Sequence, residues 1–333
     1  MLRAAIIGCG AIAQVHRAVL QNLPEATLVA CADVKPERAR AMAESCGGIR
    51  AYTSLEALLA GETVDVVHLC VPHPLHTPLA CLAASRGVNV FTEKPPVVSR
   101  AQWTSFEALK KSGVAVGVCF QNRYNGAVQA LRRLIADPSA GRTLGARAFV
   151  TWHREAPYYA DSDWRGRWDT EGGGALINQS IHTLDLLTYL LGRAAQVETT
   201  MRNHTLKGVI EVEDTVEACI DFESGARALF YATNGYAANA PVMVEVACEN
   251  VRVRMEGDEL TAFWADGSVK RERFPGTEAL GKDYWGASHY ACIRDFYQSI
   301  EQKRPFANDI DSVKNTMDLM LAMYAPYTGK TID

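Results

Sequence analysis

The chain has 333 residues, 48% hydrophobic and 22% charged, with a formal net charge of −4 at pH 7. That length points to two domains, because a single core seldom grows so large. Mild acidity without a basic block sets aside nucleic acids and anionic membrane surfaces as partners, and no apolar run approaches the length of a membrane span.

The first stretch carries the strongest signal. An apolar run, Ala4 to Ile7, breaks at Gly8; Gly10 and Ala13 follow, and Gln14 to Leu23 reads as a helix. This is strand, tight turn and helix with the spacing G-x-G-x-x-A of a dinucleotide-binding fingerprint. Gly8 suits a sharp turn, Gly10 lets backbone approach a pyrophosphate, and Ala13 lets the helix lie close on the strand. Ala11 and Ile12 stand where a helix N-terminus offers N–H groups to phosphates. A second apolar strand, Thr27 to Ala32, ends in Asp33, 20 positions past Ala13. That is the offset of a carboxylate on the adenosine ribose, and a carboxylate there favours NAD by repelling a 2′-phosphate. Arg38 and Arg40 follow closely and keep NADP open. The leading apolar run is too short and too glycine-broken for a signal peptide.

Strands and helices then alternate. A helix over Pro36–Cys46 has proline in its first turn, and Ser54–Leu59 is a short helix. Val64 to Val71 is near-continuously apolar, as a strand buried on both faces would be. The stiff loop Pro72-His73-Pro74-Leu75-His76 leads into a helix ending at Ser85. A strand from Val88 to Thr92 runs into Glu93-Lys94-Pro95-Pro96. A helix over Arg100–Lys111 and a strand over Val114–Phe120 complete a doubly wound parallel sheet, a Rossmann domain over residues 1–122. Ligands bind beyond the carboxyl ends of such strands. Gly8, Gly10, Ala11, Ile12, Asp33, Pro72, His73, His76, Glu93, Lys94 and Gln121 are therefore the expected cofactor residues.

Residues 123–333 have a different character. After a helix over Gly126–Ala136, β-type alternation dominates: Gly145–Arg154, Gln196–Arg202, Thr215–Glu223, Ala226–Thr233, Met243–Ala247 and Val251–Met255. A hairpin turn falls at Phe222–Ala226. The expectation is an α+β domain with a large, open, mostly antiparallel sheet of about five to six strands, helices on one face. Its other face needs cover, which suggests a homo-oligomer. Amphipathic helices over Ala287–Glu301 and Ile310–Tyr324 end the chain.

A second site lies in this half. Gly172, Gly173 and Gly174 precede a helix on which Asn178, His182 and Asp185 fall at i, i+4 and i+7, one polar stripe on an otherwise apolar helix. Such a stripe is unfavourable unless a polar group, water or ligand meets it. In a chain that also binds a dinucleotide it reads as catalytic. Lys94 is the other catalytic candidate: desolvation and the charge of an oxidised nicotinamide would both lower its pKa and suit it to proton transfer or to polarising a hydroxyl. Glu93 is either its ion-pair partner or a contact to the cofactor ribose. Tyr158, Tyr159, Trp164, Arg165 and Trp168 suit the faces and hydroxyls of a sugar ring, or pack as an ordinary loop. Arg123 and Tyr124 are further substrate candidates. The nine scattered cysteines include no C-x-x-C pair. They read as buried thiols in a reducing compartment, the cytoplasm, and not as disulfides or a zinc site; no metal is expected.

Gly8-Cys9-Gly10-Ala11-Ile12-Ala13, Glu93-Lys94-Pro95 and Gly172-Gly173-Gly174…Asn178…His182…Asp185, in this order and spacing, resemble the Gfo/Idh/MocA oxidoreductase family, which includes glucose–fructose oxidoreductase and inositol dehydrogenase. The likeness extends over essentially the whole chain, including Phe120–Tyr124 and the final helices. It implies a Rossmann domain followed by a domain whose open sheet pairs subunits into homodimers or homotetramers. It also implies NAD(P)-dependent hydride transfer at a hydroxyl or carbonyl carbon of a sugar, cyclitol or sugar derivative. By likeness, Lys94 is the catalytic lysine of an E-K-P motif with a cis Lys–Pro bond, His182 is the active-site histidine, and Pro72–His76 lies near the nicotinamide. His182 would take the hydroxyl proton while Lys94 bonds the same oxygen. Inositol-dehydrogenase-like members carry aspartate where this chain has Asn178. An amide orients a hydroxyl but cannot exchange its proton at neutral pH, which leaves His182 to pair with Asp185 or Lys94 to carry more of the transfer. An NAD-using glycosidase, a non-sugar reductase and a non-catalytic dinucleotide-binding regulator stay open as alternatives; Lys94 and His182 favour an enzyme.

Overall fold

The computed structural model describes residues 1–275, 288–328, 330 and 332. The chain forms two compact units: Met1–Gln121 with His289–Val313, and Asn122–Ser288 with Lys314–Asp333.

The first unit is built on β1 (Leu2–Ile7), β2 (Ala26–Ala32), β3 (Arg50–Tyr52), β4 (Val66–Leu69), β5 (Asn89–Thr92) and β6 (Val116–Val118). They form a parallel sheet in the order β3-β2-β1-β4-β5-β6. The helices between them are α1 (Ala11–Gln21), α2 (Pro36–Ser45), α3 (Leu55–Gly61), α4 (His76–Ser85) and α5 (Arg100–Ala108). The strand order reverses between β1 and β4, and such a switch opens a crevice at the carboxyl ends of the strands. All four residues of β4 are buried, as its apolar run requires. The short, exposed edge strand β3 has no apolar alternation to announce it. Helix α1 starts at Ala11, not Gln14, so the glycine turn leads straight into it. Later in the chain α9 (His289–Glu301) joins this unit, where Arg294 and Gln298 both donate to Glu25 Oε1 at 3.1 and 3.0 Å. The expected start of this helix, Ala287, lies outside the described residues.

The second unit begins with α6 (Gly126–Ala136), β7 (Thr143–Thr151) and α7 (Ala156–Ala160). A single π-helical turn, Ala175–Ser180, then leads into α8 (Ile181–Leu191). The strands β8 (Ala194–Arg202), β9 (Thr215–Phe222), β10 (Arg227–Thr233), β11 (Met243–Cys248), β12 (Val251–Glu256), β13 (Glu259–Trp264) and β14 (Val269–Arg273) follow. With β7 they make an eight-stranded sheet, β14-β13-β12-β11-β7-β10-β9-β8, antiparallel except where β7 lies parallel to β10. The sheet is thus larger than the expected five to six strands. The extra pair, β13 and β14, is a short hairpin whose last strand, reading VKRER, is exposed throughout and shows no period. Alternate residues of β10 and β12 are buried, among them Ala228, Phe230, Val253 and Met255. Helix α10 (Ile310–Tyr324) closes the chain, and its residues from Lys314 onward cluster with this unit. Among the described residues no helix is long and apolar enough to cross a membrane.

Candidate active site

The glycine turn is shaped for close backbone approach. Gly8 has φ +86°, and a Cβ there would lie 2.3 Å from the Cys70 carbonyl oxygen just past β4. Only glycine fits that turn. A Cβ on Gly10 would meet nothing within 4 Å, so the surface above the loop is open. Gly10 is the N-cap of α1 and offers no side-chain acceptor, and the first turn holds no acid. The first-turn N–H groups at Ala11 and Ile12 are therefore left to an outside anion. At the end of β2 the buried Asp33 carboxylate accepts from Cys9 N at 2.7 Å and from Lys35 N at 2.8 Å. It ties the glycine turn to the ribose position. Arg38 and Arg40 are exposed on α2. These residues fit a dinucleotide: open backbone donors for pyrophosphate, with a fixed carboxylate for the ribose.

Lys94 stands at the carboxyl end of β5, half-buried, in a cis peptide bond to Pro95. Its segment is held from both sides. His76 Nδ1 donates to Pro95 O at 2.6 Å and Thr77 Oγ1 donates to Pro96 O at 2.8 Å. His76 is fully buried and braces the Lys94 segment. Its neighbour His73 is buried in a 3₁₀ turn, while Pro72 is half-buried. Gln121 is buried and Tyr124 half-buried in the 3₁₀ turn Gln121–Tyr124.

The buried Glu93 carboxylate meets the Lys94 backbone, where Oε2 accepts from Lys94 N at 3.3 Å. Its Oε1 lies 2.9 Å from Nε2 of His16, a fully buried residue of α1. His16 Nδ1 lies 2.9 Å from His68 Nδ1, and His68 Nε2 lies 2.9 Å from the Tyr297 hydroxyl on α9. Burial would lower the His16 pKa, but Cys70 and Glu93 outweigh it and hold the group up to about 10. Burial and the His16 charge push His68 well below its ordinary value. Glu93, despite burial, is held far below the usual carboxylate range by His16. With His16 charged, both its N–H groups donate; neutral His68 accepts at Nδ1 and donates from Nε2 to Tyr297. This chain ties α1, which presents the phosphate donors, to the segment that carries Lys94.

In the second unit two of the three glycines, Gly173 and Gly174, lie against protein. A Cβ on Gly173 would meet the Tyr324 hydroxyl at 2.3 Å, and one on Gly174 the Glu213 carbonyl oxygen at 2.0 Å. The buried Glu213 carboxylate accepts from Gly174 N at 3.0 Å, Leu176 N at 2.9 Å and Tyr324 Oη at 2.7 Å. Burial, tempered by those bonds, raises its pKa to about 7. Glu171, immediately before the glycines, is also buried; it accepts from Gly166 N and from Asn178 Nδ2, both at 2.5 Å. Burial raises its pKa to about 8. Both carboxyls bind a proton more tightly folded than unfolded, so the stability they contribute is complete below about pH 4.5 and is lost as pH rises through 7 and 8. Thermal unfolding of the second unit is accordingly expected at lower temperature at pH 8.5 than at pH 5.5, measured by calorimetry.

The expected polar stripe does not stay open to ligand along its length. Asn178 is half-buried within the π turn and His182 is buried at the start of α8. Asp185, one turn further, is 1% exposed. Its oxygens accept from Arg123 Nε at 2.7 Å, Arg123 Nη2 at 2.5 Å and Thr316 Oγ1 at 2.7 Å. The Arg123–Asp185 pair is thus a buried bidentate clamp. Trp164 and Arg165 are half-buried, and the Arg165 guanidinium lies 4.2 Å from the Tyr158 ring centre and 5.2 Å from that of Trp164. Tyr159 instead packs with Leu206, Ile210 and Val212.

A family model for the NAD-binding Rossmann fold of the GFO/IDH/MocA oxidoreductases matches residues 2–120, and one for the GFO/IDH/MocA C-terminal domain matches residues 128–254. The chain belongs to the GFO/IDH/MocA oxidoreductase family. Its first unit is the family's NAD-binding fold, as the glycine turn and Asp33 require. D-apiose dehydrogenase of Paraburkholderia graminis is 29% identical over 355 residues, 99% of this chain and 89% of that protein. An oxidoreductase subunit assigned to UDP-kanosamine synthesis in Amycolatopsis mediterranei is 32% identical over 195 residues, 58% of this chain and only 53% of that protein's length. Among solved structures, the WlbA dehydrogenase of Chromobacterium violaceum, in complex with NADH and UDP-GlcNAcA, is 27% identical with a TM-score of 0.83, covering 97% of this chain and 93% of that one.

Proposed function

We propose that this family member is an NAD-dependent dehydrogenase that oxidises a hydroxyl carbon of a sugar, cyclitol or sugar derivative, or reduces the matching carbonyl. Residues 1–122 hold the cofactor and residues 123–333 the substrate. The observation that carries this reading is the placing of Lys94. It stands at the same carboxyl edge of the sheet as the Gly8–Ala11 turn and Asp33, on a segment gripped by His76 and Thr77. A cation so held, beside a dinucleotide loop, is built to act on a reacting oxygen. When bound, NAD supplies the hydride acceptor, and NADH the donor. Lys94 hydrogen-bonds the reacting oxygen and steadies the charge that develops there. His182 takes the hydroxyl proton, and Asn178 orients the hydroxyl. The sugar-directed names of the relatives support the substrate class. Asp33 supports NAD over NADP. The test is reduction of NAD and of NADP by purified protein over a panel of sugars, cyclitols, sugar acids and nucleotide sugars. NADH formation on one class supports the reading; tight NADH binding with no turnover on any class counts against it.

The reading includes self-association through the sheet. Its outer face presents Leu229, 52% exposed, beside Phe149, Tyr231 and Phe263. In its middle Arg147, Arg252 and Arg254 hold Glu245 at 2.7–2.8 Å. A broad sheet face carrying exposed apolar side chains among paired charges favours a second copy of itself. Leu229→Lys is expected to lower the assembled mass measured by light scattering, with the fold intact by circular dichroism. The nine free thiols support a reducing compartment, the cytoplasm.

A further inference from the structure

We propose that Glu171 is a positioning residue: through its hydrogen bond it fixes which end of the Asn178 side-chain amide is turned toward substrate. The substrate's place beside Asn178 rests on the reading above; the link between Glu171 and Asn178 does not.

Glu171 is 1% exposed, and its two carboxyl oxygens have different partners. Oε2 accepts from the backbone N–H of Gly166 at 2.5 Å, and Oε1 faces Asn178 Nδ2 at 2.5 Å. A backbone N–H only donates, so Oε2 stays an acceptor in either protonation state. The carbonyl oxygen of a carboxylic acid is its better acceptor, so the Gly166 bond favours a proton on Oε1, the oxygen that meets Asn178. With Glu171 ionised, Oε1 accepts from the amide NH₂, and the amide carbonyl is turned the other way, as an acceptor. With Glu171 protonated, its O–H donates, and the amide is satisfied only by rotating its oxygen toward Glu171. Its NH₂ is then turned the other way, as a donor.

Both states fall within reach of neutral pH. Burial and, to a lesser extent, the Glu213 charge lift Glu171, the Gly166 and Asn178 bonds and the Arg165 charge oppose this, and the balance is about 8. Tyr159 and Tyr324 also feel the Glu171 charge, and burial holds both above their ordinary values. An aspartate at 178 would offer a donor or an acceptor by its own proton. Here the proton sits one residue behind, and the amide reports it by turning.

The experiment follows the Asn178 amide itself. Side-chain ¹⁵N resonances of asparagine-labelled protein are titrated from about pH 6 to 10, with Asn178 assigned by its loss in Asn178→Asp. The wild-type amide is expected to move between two positions with a midpoint near 8. Glu171→Gln must present its amide oxygen to Gly166 and its NH₂ to Asn178, so it mimics the protonated state. Its Asn178 signal is expected at the low-pH wild-type position at every pH. The KM for substrate should then be pH-independent and equal to the low-pH wild-type value, with kcat much less affected. A wild-type amide that does not move, or a midpoint that survives in Glu171→Gln, overturns the proposal. If Glu171→Gln does not fold, the wild-type titration alone decides. The resonance arm needs no turnover, so a protein inactive on every sugar leaves this test standing and counts only against the dehydrogenase reading.

Discussion

Lys94→Met is expected to lower kcat about 10²–10⁴-fold, the usual contribution of one positioned proton-transfer or polarising group, while NADH affinity stays near that of the wild type. Methionine keeps the length and apolar stem of lysine but carries neither charge nor donor. The segment around it owes its conformation to other groups: His76 on Pro95 O, Thr77 on Pro96 O, and the His16–Glu93 pair. None of these is removed, so the pyrophosphate turn and Asp33 remain in place. Steady-state kinetics with NADH titration separates the two effects. A rate unchanged by the substitution would remove Lys94 from the chemistry. A loss of cofactor binding as large as the loss of rate would make it a binding residue.

The second large effect concerns stability. His16→Ala is expected to destabilise the first unit by about 3–5 kcal/mol, because it leaves the Glu93 carboxylate buried without its cation. His68 loses its Nδ1 partner in the same step. At about 2–4 °C per kcal/mol, the unfolding temperature should fall by on the order of 10 °C. The pH dependence identifies the cause. His16 is raised from 6.5 to about 10 in the folded chain, so its contribution is complete below pH 6.5 and is lost as pH rises through 10. The gap between wild type and His16→Ala should therefore be widest near neutral pH and shrink toward pH 10 and above. Denaturant unfolding at the two pH values measures it, and a gap that stays constant would mean that lost packing, not the ion pair, is responsible.

The His16 network also shows where sequence reading stops. Its members are separated by 52, 77 and 229 residues along the chain. The only local signal was a histidine three positions past Ala13, on the buried face of an amphipathic helix. The dinucleotide site, by contrast, was legible because its requirements are local: a positive φ at Gly8, small residues at Gly10 and Ala13, an acid after the next strand. The parallel sheet followed from alternating apolar runs and turn residues. Long-range partners decided the rest. Helical spacing pairs Asp185 with His182, but the carboxylate's partner, Arg123, lies 62 residues away and leaves no local signal. Glu171 and Glu213 gave no motif, since each draws its character from burial. The strands β13 and β14 escaped because a polar edge hairpin has no apolar period to read.

Deuterium tracing tests the central claim most directly. Candidate substrates deuterated at each hydroxyl-bearing carbon are oxidised with NAD, and the nicotinamide product is examined by mass spectrometry. Stoichiometric transfer of deuterium from one carbon into accumulating reduced cofactor, abolished by Lys94→Met, is the predicted result. Substrate consumed with no net reduced cofactor, or reduced cofactor carrying no deuterium from any of those carbons, would contradict hydride transfer between NAD and a sugar or cyclitol hydroxyl carbon.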